Sequence, residues 1–440
     1  MRLPDTTPGR AAAPRRTFLF LQGLASPFFA QLARLLIARG HRVGRINISL
    51  GDELFWRGLP AVSYRGTLAN WRKFLSAYLS DEGVTDVVLF GDCRPYHRVA
   101  IHLAAHRRVQ VHVCEEGYLR PSWITVENGG VNGYSSLPRD PEVIRALGRD
   151  LVSGPERTVP ASFVRRAWWD VTYNLANIMG RPVYPRYRRH RPNHVLLEYA
   201  GWIRRLVQRQ AASRHADAQV ARAVASSTGF FLLPLQLDSD YQIRVHSPYP
   251  DLGVFMDEVF GSFARHAPPK VELLVKVHPL DNGLTDRKAQ VVELASRHGI
   301  SDRITFIDGG YLPTLLTSTR GVVVVNSTVG LTAIEVGKPT IALGTSIYNI
   351  EGLAFQGGLD RFWTDAPPPD SELVRAFRNL LIARTQVNGG YFAVESAALA
   401  VPGAADRLEA GNPHFFRVPA PADRNAPVGA GAYVRPEPAE

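Results

Sequence analysis

Cysteine is nearly absent from this chain: Cys93 and Cys114 are the only two in 440 residues. They form no C-x-x-C and fall in or beside apolar segments, so they read as reduced core residues and favour a cytosolic compartment. Long hydrophobic runs are missing too. No stretch approaches the ~18 to 20 apolar residues of a membrane span, so any membrane association is expected to be peripheral. Arg15 and Arg16 precede an apolar segment, Thr17 to Ala30, as they would in a signal peptide, but Gln22 and Gly23 break it early; a first strand and its turn explain it better. There is no zinc-finger spacing, no RNP-like aromatic motif and no short-period repeat, and the basic residues are mostly arginines scattered among apolar ones, which speaks against nucleic acid as a partner. Acidic residues are the scarcer charge: 40 Asp+Glu against 51 Lys+Arg gives a net charge of +11. That balance suits an anionic partner such as a nucleotide, a sugar acid or a phospholipid surface, without choosing among them.

What is present is enough apolar residue, 45%, for two sizeable cores. Residues 1–16 are rich in Pro, Arg and Ala and are expected to be disordered, as is 417–440. From Thr17 the pattern is strand (Phe18 to Gln22), turn, amphipathic helix (Pro27 to Arg39) closed by Gly40, then strand (Val43 to Ile48). It repeats as a strand from Thr85 to Phe90, a helix opened by Pro95, and a strand from Val109 to Cys114. Alternating apolar strands and helices predict an α/β fold with parallel doubly wound sheets. A second such unit starts at Phe230 and runs through strands at Val271 to Val277, Ile304 to Ile307, Gly321 to Val325 and Thr340 to Leu343. The expected division is therefore a Rossmann-like unit over 17–140, a helical basic connector over 141–227, a second Rossmann-like unit over 228–365 and a helical segment over 366–416. Within the connector, Arg181 to Arg191 interleaves arginine with tyrosine. It is either a solvated link or a contact for an anionic acceptor or lipid head groups, since guanidinium forks match phosphate.

In doubly wound sheets ligands sit beyond the carboxyl ends of the strands, and this rule sorts the polar residues. Glu115 and Glu116 end the Val-rich strand that begins at Val109, followed by Gly117 and Arg120. Packing gives no reason for charges there, so the pair either makes a salt bridge to Arg94 or Arg120, binds a polar ligand, or reacts with one. A carboxylate below an anomeric carbon would assist glycosyl transfer, as electrostatic support or as covalent nucleophile. Asp92 and Arg94 follow the preceding strand. In the second unit Asp238-Ser239-Asp240 could supply an acid/base or bind sugar hydroxyls, or simply form a turn. Lys276 and His278 share one face of a strand end by the period-two rule, and Asn326-Ser327-Thr328 links a strand to a helix start. Such a helix N-terminus is an anion site or an ordinary cap, and His278 either meets a phosphate or merely completes a strand end. No metal signature is present: the lone D-x-D is a weak signal, and Lys, His and a helix N-terminus can neutralise a leaving phosphate without a metal.

In order along residues 17 to 365, Gln22-Gly23, Asp92-x-Arg94-Pro95-x-His97, Glu115-Glu-Gly-Tyr-Leu-Arg-Pro121, Gly130-Val-Asn-Gly133, Pro234-Leu-Gln236 with Asp240-x-Gln242, Lys276-x-His278-Pro279 and Asn326-Ser-Thr328 resemble the KpsS/LipB-type capsule polysaccharide biosynthesis proteins. The resemblance implies a GT-B-like glycosyltransferase that takes Kdo from CMP-β-Kdo with retention. It implies that the enzyme starts a poly-Kdo linker on a phosphatidylglycerol-type lipid at the inner face of the cytoplasmic membrane, alongside a capsule export complex and with no cofactor. Lys276, His278, Pro279, Asn326, Ser327, Thr328 and Gln236 would hold the donor; Asp92, Arg94, Arg120 and Gln22 would serve the acceptor or sugar; Glu116, Glu115 and Asp240 would be catalytic. Related KpsC-type transferases carry an aspartate where this chain has Glu116, one methylene longer, which argues more for a general catalytic role than for a nucleophile. Two other readings remain: a non-catalytic export component keeping the transferase fold, and a two-Rossmann nucleotide-sugar epimerase using a UDP-sugar.

Overall fold

The computed structural model describes residues 15–151, 154, 156–160, 162–189 and 195–411; the expected tail at 417–440 and most of that at 1–16 lie outside them. The chain enters through β1 (Thr17–Phe20), α1 (Phe28–Ala38), β2 (Arg42–Asn47), α2 (Leu50–Leu54), β3 (Val62–Ser63), α3 (Leu68–Asp81), β4 (Asp86–Phe90), α4 (Pro95–Ala105), β5 (Gln110–Glu116) and β6 (Trp123–Asn128). Helices α5 (Pro141–Gly148), α6 (Phe163–Met179) and α7 (Val195–Ala225) lead across. The second half comprises β7 (Phe230–Pro234), α8 (Tyr241–Arg244), α9 (Leu252–His266), β8 (Glu272–Lys276), α10 (Arg287–Arg297), β9 (Ile304–Ile307), α11 (Leu312–Ser318), β10 (Gly321–Val324), α12 (Thr328–Glu335), β11 (Thr340–Ala342) and α13 (Leu359–Asp365). The described chain closes with α14 (Ser371–Thr385), β12 (Gln386–Asn388) and α15 (Val394–Ala410).

Two sheets result. The first has the order β12-β6-β5-β4-β1-β2-β3 and the second β11-β10-β7-β8-β9. All pairings in the second are parallel, as the run of apolar strands predicts for a sheet covered on both faces. The first is parallel from β5 to β3, but β6 pairs antiparallel with β5 and β12 antiparallel with β6. This is an α/β architecture of two Rossmann-like units. The antiparallel edge is an addition that strand counting did not foresee: Trp123–Asn128 carries the buried Glu127, and β12 returns from the far end of the chain.

Helix α1 buries Phe28, Phe29, Leu32, Ala33 and Leu36 at helical spacing, and α15 lies against it. Arg16 ties down the start of the described chain. Its guanidinium holds Asp86 and donates to the carbonyls of Leu408 and Glu409 at 2.9 and 3.0 Å, joining both ends of the described chain. Tyr118 and Leu119, just past β5, are buried in a core with Leu331, Tyr348 and Phe377, so the loop after the carboxylates is packed against the second half. Among the described residues no helix is long and apolar enough to cross a membrane.

Candidate active site

The strand β5 delivers its two carboxylates to opposite faces, because successive side chains of a strand alternate. Glu116 emerges beside α6, where Arg166 holds it at 3.0 Å and the Arg166 guanidinium lies 4.9 Å from the Phe392 ring. Glu115 emerges on the other side, where Asn132 donates to it at 3.0 Å. Gly117 follows because the backbone folds hard against β6: a Cβ there would stand 2.2 Å from the Trp123 carbonyl oxygen.

Each face opens into its own cavity. Glu116 lines one of about 580 Å³, walled by Gly23, Leu24, Tyr173, Arg181 and Tyr187. Glu115 lines one of about 530 Å³ between the two halves, together with Asp92, Asn132, Asp238, Asp240, Gln242 and His246. Phe90, Arg94, Arg166 and Asp170 border both. Two guanidinium groups therefore stand where the cavities meet. Arg94 is held there by donating to the Gly23 carbonyl at 2.9 Å, and Gln22 braces the wall by donating to the hydroxyls of Tyr173 and Tyr187 at 2.9 and 3.0 Å.

Burial, then the nearby charges of Asp92 and Asp240, push the Glu115 carboxyl up to about 8. Burial likewise raises Asp92 and Asp240. Three acids thus share a confined space, and like charges at close range favour keeping protons. Asp240 caps α8 by accepting from the Gln242 amide at 3.0 Å, while Asp238 is ion-paired with Arg287 and accepts from the Leu252 amide.

The expected donor residues divide into two kinds. Gln236 and Asn326 bond to each other reciprocally at 2.9 and 3.2 Å, and Asn326 also donates to the Gln242 and His246 carbonyls. They lock the ends of β7 and β10 together. Ser327 caps α12 through the Val329 amide at 3.2 Å, with Thr328 as the first helical residue. Lys276 and His278 differ in character. Burial lowers the Lys276 ammonium from its ordinary value, and it donates to the Gly309 carbonyl. His278 accepts from the Leu280 amide through Nδ1 at 3.0 Å, and Pro279 carries the chain onward. Burial and then the positive charges of Arg120, Arg205, Arg166 and Lys276 drive the His278 imidazole down to about 4. The imidazole is thus neutral at neutral pH, with cationic groups nearby, of which Arg205 is paired with Asp308 and Asp281 and Arg166 with Glu116. Arg120 donates to the Gly117 carbonyl at 3.2 Å and reaches from β5 toward this cluster. Neither large cavity is lined by Lys276, His278, Pro279, Ser327 or Thr328.

The sequence reading missed Arg166, Asp170 and Tyr173 of α6, and Arg205 of α7. All sit in the segment read as a connector, where an arginine among apolar residues carries no motif. Asp92, Cys93 and His246 bring three donor atoms within 4.8 Å of one another, a grouping that no motif announced. The Cys93 sulfur is 3.2 Å from Asp92 Oδ1 and 3.6 Å from His246 Nε2. Burial pushes the thiol up and the His246 imidazole down to about 4, so at neutral pH the group is a thiol donating to a carboxyl beside a neutral ring. Only folding brings His246 to Asp92 and Cys93, 153 residues away from the cysteine, which is why spacing could not reveal the group.

Residues 85–392 match the family described as capsule polysaccharide biosynthesis protein. The chain is 34% identical over 378 residues to the capsule polysaccharide export protein KpsS of Escherichia coli, covering 86% of this chain and 97% of that one. It is 33% identical over 383 residues to the capsule polysaccharide modification protein LipB of Neisseria meningitidis serogroup B, covering 85% and 91%. Among solved structures it is similar to KpsC of Thermosulfurimonas dismutans, a beta Kdo 2,7 transferase, at 13% identity and a TM-score of 0.42 over 90% of this chain and 99% of that one. A likeness that distant assigns no activity.

Proposed function

The chain belongs to the capsule polysaccharide biosynthesis family, and from that premise we propose that it is a retaining glycosyltransferase, moving Kdo from CMP-Kdo onto an anionic glycerophospholipid of the phosphatidylglycerol type. The observation that carries this reading is the Glu116 cavity, where Glu116 is paired with Arg166 at 3.0 Å and where Arg94 and Arg166 form the border with the second cavity. Kdo bears a carboxylate on its anomeric carbon, so a site that brings a second carboxylate to that carbon needs guanidinium groups beside it. The cations around His278 supply the counter-charge for the CMP phosphate.

In the proposed reaction a Glu116 oxygen meets the anomeric carbon as its bond to the phosphate oxygen breaks, and the electron pair leaves with CMP. The acceptor hydroxyl then displaces Glu116 from the face that CMP left, giving net retention. Glu115, protonated at neutral pH, gives its proton to the departing phosphate and takes one back from the acceptor hydroxyl. The family names also include export, and a purified protein that releases no CMP and transfers no Kdo would leave the non-catalytic export role instead. The protein is proposed to act at the inner face of the cytoplasmic membrane within a capsule assembly and export complex.

Two results are expected. Because Glu115 is held at about 8, kcat/KM falls as pH rises through about 8, and Glu115→Gln abolishes that limb; a profile unchanged by the substitution would remove Glu115 from proton transfer. The sign for stability is the same: a carboxyl whose folded pKa lies above its unfolded value makes folding weaker as pH climbs between the two. Second, since cations of the chain neutralise the phosphate, dialysis against EDTA leaves turnover unchanged. A loss restored by added divalent ion would give Asp92, Cys93 and His246 a cation to hold.

A further inference from the structure

Helix α6 is amphipathic the wrong way round for a soluble protein. The face turned to the protein is polar: Arg166 pairs with Glu116, Tyr173 donates to Asp52 at 3.1 Å, and Asn177 accepts from the Gly51 amide at 2.7 Å. The face turned outward is apolar. Val164, Trp168, Leu175 and Met179 recur at helical spacing and are 79, 68, 53 and 69% exposed. Val171 and Ile178, also exposed, flank the stripe where it borders the second and the first cavity. Single exposed apolar residues are ordinary on protein surfaces, but a continuous stripe along a 17-residue helix marks a surface that is covered in use.

Three observations choose the covering. The stripe carries no acidic side chain, since the helix's one acid, Asp170, borders the cavities. Exposed Arg181, Arg186 and Arg188 follow its C-terminal end, and the whole chain is at +11. An apolar face edged by arginine is the pattern of a helix lying in the interface of an anionic bilayer, its apolar side chains among the acyl chains and its guanidinium groups at the phosphates. The same helix walls both cavities through Arg166 and Asp170, so a lipid in the leaflet on which the helix lies would meet the Glu116 cavity by moving past one helix.

We propose that the outer face of α6 docks the protein on an anionic phospholipid bilayer, with Val164, Trp168, Leu175 and Met179 inserted and Arg186 and Arg188 at the head groups. This deepens the membrane side of the proposed function, but vesicle binding is read without turnover, so either can fail alone. The test is co-sedimentation of the full chain with vesicles of phosphatidylcholine containing phosphatidylglycerol and of phosphatidylcholine alone. Wild type binds the former more strongly. The triple variant Val164→Ser, Trp168→Ser, Met179→Ser loses roughly a hundredfold in partitioning, with its Tm and its turnover of a water-soluble short-chain acceptor unchanged. Arg186→Glu with Arg188→Glu removes the preference for phosphatidylglycerol. Undiminished vesicle binding by the triple variant would overturn the proposal. So would a wild type that ignores vesicles, or a triple variant that dissociates a homodimer while still binding them, which would give the face to a second copy.

Discussion

Glu116→Gln is expected to lower Kdo transfer by about a thousandfold or more, the scale seen when charge aimed at a transition state is removed. Glutamine keeps the volume and the hydrogen-bonding reach but not the negative charge. The side chain stands at a cavity wall with Arg166 as its ion-pair partner, so losing that partly exposed pair costs folding only up to about 1 kcal/mol. The fall must then appear in turnover with the protein intact, which CMP release and circular dichroism together check. Glu116→Asp separates charge from reach. It keeps the carboxylate one methylene further back and is expected to retain more activity than Glu116→Gln; equal activity in the two variants would mean that the charge at this position does nothing.

Asp86→Ala is expected to destabilise the fold by about 3 to 5 kcal/mol, the cost of leaving buried charged or polar partners uncompensated. Asp86 is fully buried at the start of β4. It accepts from Arg16 Nε at 2.8 Å and from Thr85 Oγ1 at 2.6 Å, and His112 Nε2 lies 2.7 Å from it. Its carboxyl is raised by burial, but hydrogen bonds and charge from His112, with hydrogen bonds from Arg16 and Thr85, more than offset that and leave it below its ordinary 3.8. For a depressed carboxylate the stabilisation is present above the unfolded value and disappears as pH falls through the folded one. Denaturant midpoints of the wild type should therefore drop on acidification below about 4, and those of Asp86→Asn should drop less. Identical pH slopes would show that the network contributes nothing. Since Arg16 also joins residues 408 and 409 to the first sheet, both variants should loosen α15 before the second half, visible as faster amide exchange there.

How much of this was legible beforehand depends on whether a feature is local. The strands with unbroken Val, Leu and Phe, the helices opened by Pro95 or capped by Gly40, and the two-unit organisation follow from periodicity and turn chemistry, which act over a few residues. A helical segment was expected over 366–416, and α14 spans Ser371–Thr385 within it. Strand β12 escaped because three residues carry no period, and its place beside β6 is set by packing of α15 on α1. Glu115 and Glu116 were visible as charges at a strand end, but they were read as a pair. The period-two rule that placed Lys276 and His278 on one face places these neighbours on opposite faces, and the structure gives them separate cavities and different partners. Gln236 and Asn326 stood out as polar residues at strand ends and prove to bond to each other. A reciprocal amide pair and a ligand contact look alike in sequence. Arg166 could not be seen at all, because its importance comes from α6 crossing the end of β5, a placement that the intervening segments decide.

The central claim is that this chain itself carries out sugar transfer, and mass spectrometry tests it most directly. Purified protein is mixed with CMP-Kdo generated in situ and a lysophosphatidylglycerol acceptor, in parallel with the Glu116→Gln variant. The account predicts a lipid heavier by one or more Kdo residues, CMP released in equal amount, and neither with the variant. No modified lipid and no CMP from the wild type, or the same yield from Glu116→Gln, would contradict it.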